Sequence, residues 1–196
     1  MNSPTSRGGP YVSDMASPAE RTDAQVVRDV LAGDRDAYRL LVRRYSDLLF
    51  GHAIRIVGNR DEASDLVQRA LVKGFRKLRA CRDPDRVGAW LFRILANSCK
   101  DHLRAQRPSI RLEDAGEISE PGPDPLAAAQ SSEVRGRLRR ALDRLTPEQR
   151  EAFVFKHVEG HSYEEMAAVL DLSVASLKMR VHRAREALQG LLEEYR

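Results

Sequence analysis

Between Lys178 and Arg185 the chain reads KMRVHRAR, three arginines, a lysine and a histidine in eight positions. Guanidinium and ammonium groups at this density suit one chemistry well: they pair with phosphate, and arginine also forks onto a guanine edge. Apolar residues recur through the same stretch, so the charge must lie on one side of a helix. At about 100° per residue, Val174, Leu177, Val181, Ala184 and Leu188 line one face. Opposite them lie Ala175, Met179, His182 and Arg183, with Ser176 beside them and Lys178, Arg180 and Arg185 on the flanks. A purely solvated face has little reason to centre on a thioether. In a major groove, Met179 can touch a thymine methyl while Lys178 or Arg183 reaches guanine or phosphate. Lone exposed apolar side chains are common, however, so a solvated basic face stays open as the alternative.

The residues ahead of this stretch must hold it in place. Ser162-Tyr163-Glu164-Glu165 is a capping box that opens a short helix to about Leu170. Asp171-Leu172 makes a tight turn, and Ser173 caps the basic helix. Short helix, turn and basic helix outline a helix-turn-helix. Asp171 stands where such a turn usually carries glycine, and aspartate tolerates the left-handed backbone better than most residues. Upstream, Thr146-Pro147-Glu148-Gln149 sets Thr at the N-cap, Pro at N1 and Gln at N3 of a helix reaching about Val158.

The first half of the chain follows the same helical period. One helix is expected near 23–32, ending at Gly33. A second runs over about 36–57, with Ala37, Leu40, Leu41, Leu48, Leu49 and Ala53 as apolar contacts and Gly58-Asn59 as its stop. In DEASDLVQRALVKGFRKL, Leu66, Val67, Ala70, Leu71, Gly74, Phe75 and Leu78 form one stripe. The opposite face presents Asp65, Gln68, Arg69, Val72 and Arg76, a surface for a partner or for solvent. The loop ACRDPDRVG follows, then a helix of about 20 residues through VGAWLFRILANSCKDHLRAQR that stops before Pro108. Trp90, Leu91, Ile94 and Leu95 read as core, which leaves Arg93, Asn97, Lys100, Asp101 and Arg104 for solvent or nucleic acid.

Charge is unevenly spread along the 196 residues. Residues 36–111 carry 17 Lys/Arg against 8 Asp/Glu, residues 112–133 carry six acids and no base, and the whole chain nets +4. A basic lobe, an acidic strap and a second lobe favour a polyanion partner over an acidic substrate pocket. Four prolines and two glycines in RPSIRLEDAGEISEPGPDPL mark a linker. The expected fold is all-α: two small helical domains joined by a flexible, acidic, Pro-rich linker, the C-terminal one a helix-turn-helix. The boundaries read as a disordered tail over 1–22, a first domain over 23–107, a linker over 108–132 and a second domain over 133–196. No apolar run approaches the roughly 20 residues that span a bilayer, and the start lacks a secretory core, so a cytoplasmic protein without membrane insertion is expected. Two cysteines, Cys81 and Cys99, give neither a disulfide framework nor CxxC. Cys99 and His102 are three apart on a helix, a spacing too sparse to commit to metal. With no Gly-rich phosphate loop, GxSxG or HExxH, neither an enzyme nor a cofactor is expected.

At this point the chain resembles a bacterial RNA polymerase sigma factor of the extracytoplasmic-function (ECF) group of the sigma-70 family. LTPEQREAFVFKHVEGHSYEEMAAVLDLS and the basic helix after it are similar to that family's region 4, and RDEASDLVQRALVKGFRKL with WLFRILANSCKDHLR to its region 2. The resemblance implies that Asp65, Gln68, Arg69 and Val72 dock the clamp coiled coil of core RNA polymerase. Arg69 departs from the acidic residue often found there. It implies that Arg82, Arg86, Arg93, Asn97, Lys100 and Arg104 meet the −10 element, with the loop at about 80–88 capturing a flipped base, since an unstacked base is costly unless held. It puts −35 contacts on Lys178, Met179, His182 and Arg183, with Ser176 beside them. Partners implied are core polymerase (clamp and flap), promoter DNA and an anti-sigma factor. The acidic linker either mimics RNA in a polymerase channel or simply solubilises the chain. The rival reading is a helix-turn-helix regulator of the response-regulator type. It would need β/α alternation for a receiver domain, and residues 23–106 show none.

Overall fold

Thr22 sets the start of the first helix. Its hydroxyl accepts from the Gln25 amide at 3.2 Å, and the Gln25 side chain accepts from the Thr22 N–H at 2.7 Å. The computed structural model describes residues 21–106 and 141–193, with side chains to residue 189. Most of the expected tail, the whole expected linker and the first residues of the expected second domain lie outside the described residues.

Among the described residues seven α-helices follow in order: α1 Asp23–Leu31, α2 Tyr38–Val57, α3 Arg60–Arg76, α4 Val87–Gln106, α5 Pro147–Phe153, α6 Tyr163–Leu170 and α7 Val174–Glu193. Among the described residues there is no strand. The capping logic is as the residue types require. The Asn59 carboxamide accepts from the amides of Asp61 and Glu62. Thr146 with Gln149, and Ser162 with Glu165, form reciprocal boxes, and Ser173 Oγ accepts from the Ser176 amide at 3.2 Å. Asp171 closes α6 in the left-handed conformation, φ 59°, and is the one non-glycine described residue with positive φ.

Three details differ from the sequence expectation. The stretch expected as one helix to Val158 is α5 followed by a π-helical turn over Val154–Val158. The entry to α2 is a 3₁₀ turn over Arg35–Ala37, because the Asp34 carboxylate caps the Ala37 amide at 3.2 Å. Leu48, expected as an apolar contact of α2, is 42% exposed. Of the expected contacts along α2, Leu41, Leu49 and Ala53 are buried, in an inward stripe that Tyr45, His52 and Ile56 complete.

The first lobe packs α2, α3 and α4 together, with α1 across their end. Tyr45 locks that junction. Its hydroxyl donates to the buried Asp23 carboxylate, to which Arg44 Nη1 also donates at 2.6 Å. Gly88 admits the Tyr45 ring, since a Cβ there would stand 2.5 Å from Tyr45 Cε1. The ring is tethered through its hydroxyl and cannot swing away, so Gly88→Ala is expected to cost about 2 kcal/mol by overpacking. Denaturant unfolding of the variant beside wild type measures it.

The second lobe does not keep to itself. Val154, Phe155, Met166, Val169, Leu170, Leu177 and Val181 join the same buried cluster as Leu49, Ile56, Leu91, Phe92 and Leu95. Helix α4 packs on both α5 and α6. A smaller cluster of Leu142, Leu145, Ala184 and Leu188 closes the far end of α7.

Candidate nucleic-acid interface

Helix α7 carries the candidate recognition face. Leu177, Val181, Ala184 and Leu188 are buried, Leu177 lying over the α6 side of the motif, while Val174 at the helix start is half-buried. On the other side Lys178, Met179, His182 and Arg183 are exposed, with Ser176 half-buried at their edge. Met179 is 53% exposed, the most accessible large apolar side chain among the described residues. His182 faces Glu186 one turn on, 3.2 Å away. The Lys178 ammonium lies 5.7 Å from the centroid of the Tyr163 ring, whose other cation is Lys156 at 4.8 Å. Arg180, on the flank, is half-buried and its charge acts on Glu151 of α5.

Helix α3 turns Asp65, Gln68, Arg69 and Val72 outward together. Arg69 Nη2 pairs with Asp65 Oδ2 at 2.6 Å, so the departure from an acidic residue is answered within the helix itself. Gln68, Arg69, Val72, Lys73, Arg76 and Lys77 line an open depression of about 460 Å³. This face is basic at its rim and apolar at Val72.

Helix α4 and the loop before it divide into two groups. Arg82, Arg86 and Asn97 are exposed. Cys81, Arg82, Asp83, Arg86, Trp90 and Arg93 line a depression of about 420 Å³, and Asp171 of the second lobe stands on its rim. The other three cations point into the second lobe. Arg93 donates to the Val169 carbonyl at 3.1 Å, to the Ala168 carbonyl at 3.4 Å and to Asp171 Oδ2 at 3.1 Å. Lys100 Nζ meets Glu151 Oε2 at 3.1 Å. Arg104 pairs with Asp101 at 3.2 Å and with Glu148. The helical period had left all three for solvent or nucleic acid; here protein acceptors take them.

The acceptors were not visible beforehand. Glu148 reads in sequence only as a first-turn helix residue, and nothing near Glu151, Glu159 or Asp171 names a partner 51 to 107 positions away. Glu159 is the most connected. Its carboxylate meets His52 Nδ1 at 3.0 Å, Arg55 Nη1 at 3.4 Å and His161 Nε2 at 3.6 Å. Burial opposes charge on this group, but hydrogen bonds from His161 and His52 and the charges of His52 and Arg55 overcome it. They hold the carboxyl at about 2. Glu151 goes the other way: burial pushes its carboxyl up, and Lys100 offsets only part of that. Arg150 reaches across to the Ile56 carbonyl at 2.9 Å.

Both cysteines are buried, Cys81 in the wall of the depression before α4. Cys99 is buried, its thiol pushed up to about 12 by burial and by the Glu151 charge, and burial also raises Cys81. His102 faces Glu62 at 3.0 Å. Among the described residues no three His, Cys, Asp or Glu side chains group as metal ligands.

Two stretches of the chain match known families: residues 41–108 match Sigma-70 region 2, and residues 135–188 match Sigma-70, region 4. The RNA polymerase sigma-H factor of Pseudomonas aeruginosa is 32% identical over 185 residues, covering 89% of this chain and 95% of that protein. The ECF RNA polymerase sigma-E factor of Escherichia coli K12 is 33% identical over 183 residues, covering 88% and 95%. Among solved structures, CnrH in complex with the cytosolic domain of CnrY superposes with a TM-score of 0.61 at 29% identity, over 88% of this chain and 97% of that one. The sigma factor RpoE of Bartonella quintana, in complex with the anti-sigma factor NepR, gives 0.57 at 30% identity, over 81% and 98%.

Proposed function

The chain belongs to the ECF group of the sigma-70 family, and from that premise we propose which of its surfaces meets which partner. As a promoter-specificity factor it joins core RNA polymerase, directs it to −35 and −10 elements and promotes opening of the duplex. Its own contribution is recognition, and the bond-making chemistry belongs to the polymerase.

Helix α7 enters the major groove at −35. Met179 packs on a thymine methyl, Arg183 and Lys178 take guanine or phosphate, and His182 and Ser176 flank them. Helix α4 and its loop meet −10, with Asn97 as the base contact, Arg93, Lys100 and Arg104 for phosphate, and Arg82 and Arg86 on the backbone beside a captured base. The α3 face of Asp65, Gln68, Arg69 and Val72 docks the polymerase clamp, while the second lobe reaches the flap. An anti-sigma factor is a further partner, as NepR is for RpoE of Bartonella quintana. No described helix is long and apolar enough to cross a membrane, and a cytoplasmic place of work fits these partners. The two domains run over 23–107 and 133–196, with the tail and linker as their extensions.

The observation that carries the −35 assignment is Met179: an exposed thioether centred among cations, on the second helix of a capped helix-turn-helix. Run-off transcription with core polymerase tests it. The chain should confer promoter-specific initiation, and Arg183→Ala should cost about 1–3 kcal/mol of base discrimination, roughly 5- to 150-fold, at −35 positions. Met179→Ala should relax preference at a thymine. A shift in −10 preference from either variant would mean that the helices are assigned to the wrong elements.

A further inference from the structure

Tyr163 opens α6, its backbone fixed by the Ser162–Glu165 capping box. Its half-buried ring packs against the cluster that holds Leu177 and Val181 of α7. The ring is therefore a firm platform, and two ammonium groups gather on it. Lys156 Nζ of the π-helical turn lies 4.8 Å from its centroid, and Lys178 Nζ of α7 lies 5.7 Å from it. Both distances fall within the range over which a ring quadrupole attracts a cation.

The two lysines are held differently. Lys156 is half-buried and also donates to the His161 carbonyl at 3.0 Å. Lys178 is exposed, and its ammonium makes no ion pair or hydrogen bond with another described residue, so the ring is what restrains it. A free lysine side chain samples many rotamers, and ordering it on a ligand costs free energy. One already drawn to a single place gives up less on binding. The place matters too. Lys178 leans toward the first residue of α6, and in a helix-turn-helix the first helix crosses the DNA backbone while the second reads the bases. Two like charges beside one ring, neither paired to a described carboxylate, also favour an incoming anion.

We propose that Tyr163 is a positioning residue for promoter binding. Its ring, not its hydroxyl, holds Lys178 at the α6 edge of the recognition face, where the ammonium takes a backbone phosphate and leaves base reading to Met179 and Arg183. This rests on the assignment of α7 to the −35 element. Tyr163 then raises affinity for every −35 sequence and discriminates among none. The gain is the factor by which the ring enriches the binding-ready pose of Lys178.

The test uses holoenzyme reconstituted from core polymerase and the full chain. It is titrated with a promoter duplex that supports a specific run-off transcript, and with the same duplex carrying single base changes at −35. Tyr163→Leu keeps bulk and removes the ring; it should weaken binding about two- to fivefold, the worth of an exposed cation–π contact. The loss should be equal across the base changes. Tyr163→Phe keeps the ring and should restore the affinity. Lys178→Met should weaken binding at least as much as Tyr163→Leu and lower the slope of log affinity on log salt by about one. With Lys178→Met already present, Tyr163→Leu should cost nothing further. That comparison separates positioning from folding, since a damaged α6 would cost affinity with or without Lys178. Equal losses from Tyr163→Leu in both backgrounds overturn the proposal, as does no loss from it while Lys178→Met weakens binding. A Tyr163→Phe variant as weak as Tyr163→Leu would put the effect in the hydroxyl and overturn it too. A loss confined to particular −35 bases would overturn the phosphate placement of Lys178. Failure of the −35 assignment looks different: Arg183→Ala would keep wild-type −35 preference and Lys178→Met wild-type affinity, whatever Tyr163→Leu does.

Discussion

Phe155→Ala is expected to lower stability by about 3–5 kcal/mol, the usual cost of emptying a large buried aromatic site. For a chain of this size that is on the order of 10 °C in Tm. Phe155 is fully buried and stands where the two lobes meet. Its ring centroid lies 4.5 Å from that of His52 in α2 and 5.4 Å from that of His161 before α6, and His52 in turn packs edge-on to Phe92 of α4 at 5.8 Å. The cavity would therefore open into both lobes at once and loosen the His52–Glu159 contact beside it. Because one buried cluster runs through α2, α4, α5 and α6, wild type should unfold in a single calorimetric transition, whereas Phe155→Ala should broaden or split it. A conservative Phe155→Leu should lose much less. A loss under 1 kcal/mol for the alanine variant, with a single sharp transition, would mean that the lobes are not coupled through this ring.

That coupling was the part least legible in the residues themselves. Helix starts were legible because capping is local: Thr146 with Gln149, and Ser162 with Glu165, each lie within one turn. So was Asp171 as a left-handed stop, since few residue types tolerate that backbone. The exposed face of α7 could be traced almost completely, because the neighbours that define it are three and four residues apart on one helix. Arg93, Lys100 and Arg104 obeyed the same periodicity but left the partner undetermined. A cation off the apolar stripe looks alike whether water, phosphate or a carboxylate of another lobe meets it. The partners here are 76, 51 and 44 positions away in sequence, beyond the reach of any local pattern. Leu48 shows the same limit in reverse: its spacing fits a stripe, yet no element among the described residues covers it.

The second large effect is expected at Lys100, and its pH dependence separates it from a general packing defect. Lys100 is half-buried against Glu151, which is almost wholly enclosed beside Cys99. Removing one partner of such a pair leaves the other charge buried and uncompensated, at a cost of about 3–5 kcal/mol. Lys100→Met should therefore lose about 3 kcal/mol near pH 7. Burial already raises the Glu151 carboxyl with Lys100 present, so without the ammonium it should rise further. An acid raised in the folded state binds its proton more tightly there than in the unfolded chain. Stability is then undiminished below the ordinary carboxylate range and falls as pH climbs from that range toward the raised value. The deficit of Lys100→Met relative to wild type should accordingly shrink on going from pH 7 to pH 5. A double change, Lys100→Met with Glu151→Leu, removes both charges and should recover most of the loss at pH 7, because apolar replacement of a buried pair is often neutral or better. Urea unfolding of wild type, single and double variants at both pH values decides it. A deficit independent of pH, or a double variant no more stable than the single one, would place the cost in packing rather than in the stranded Glu151 carboxylate.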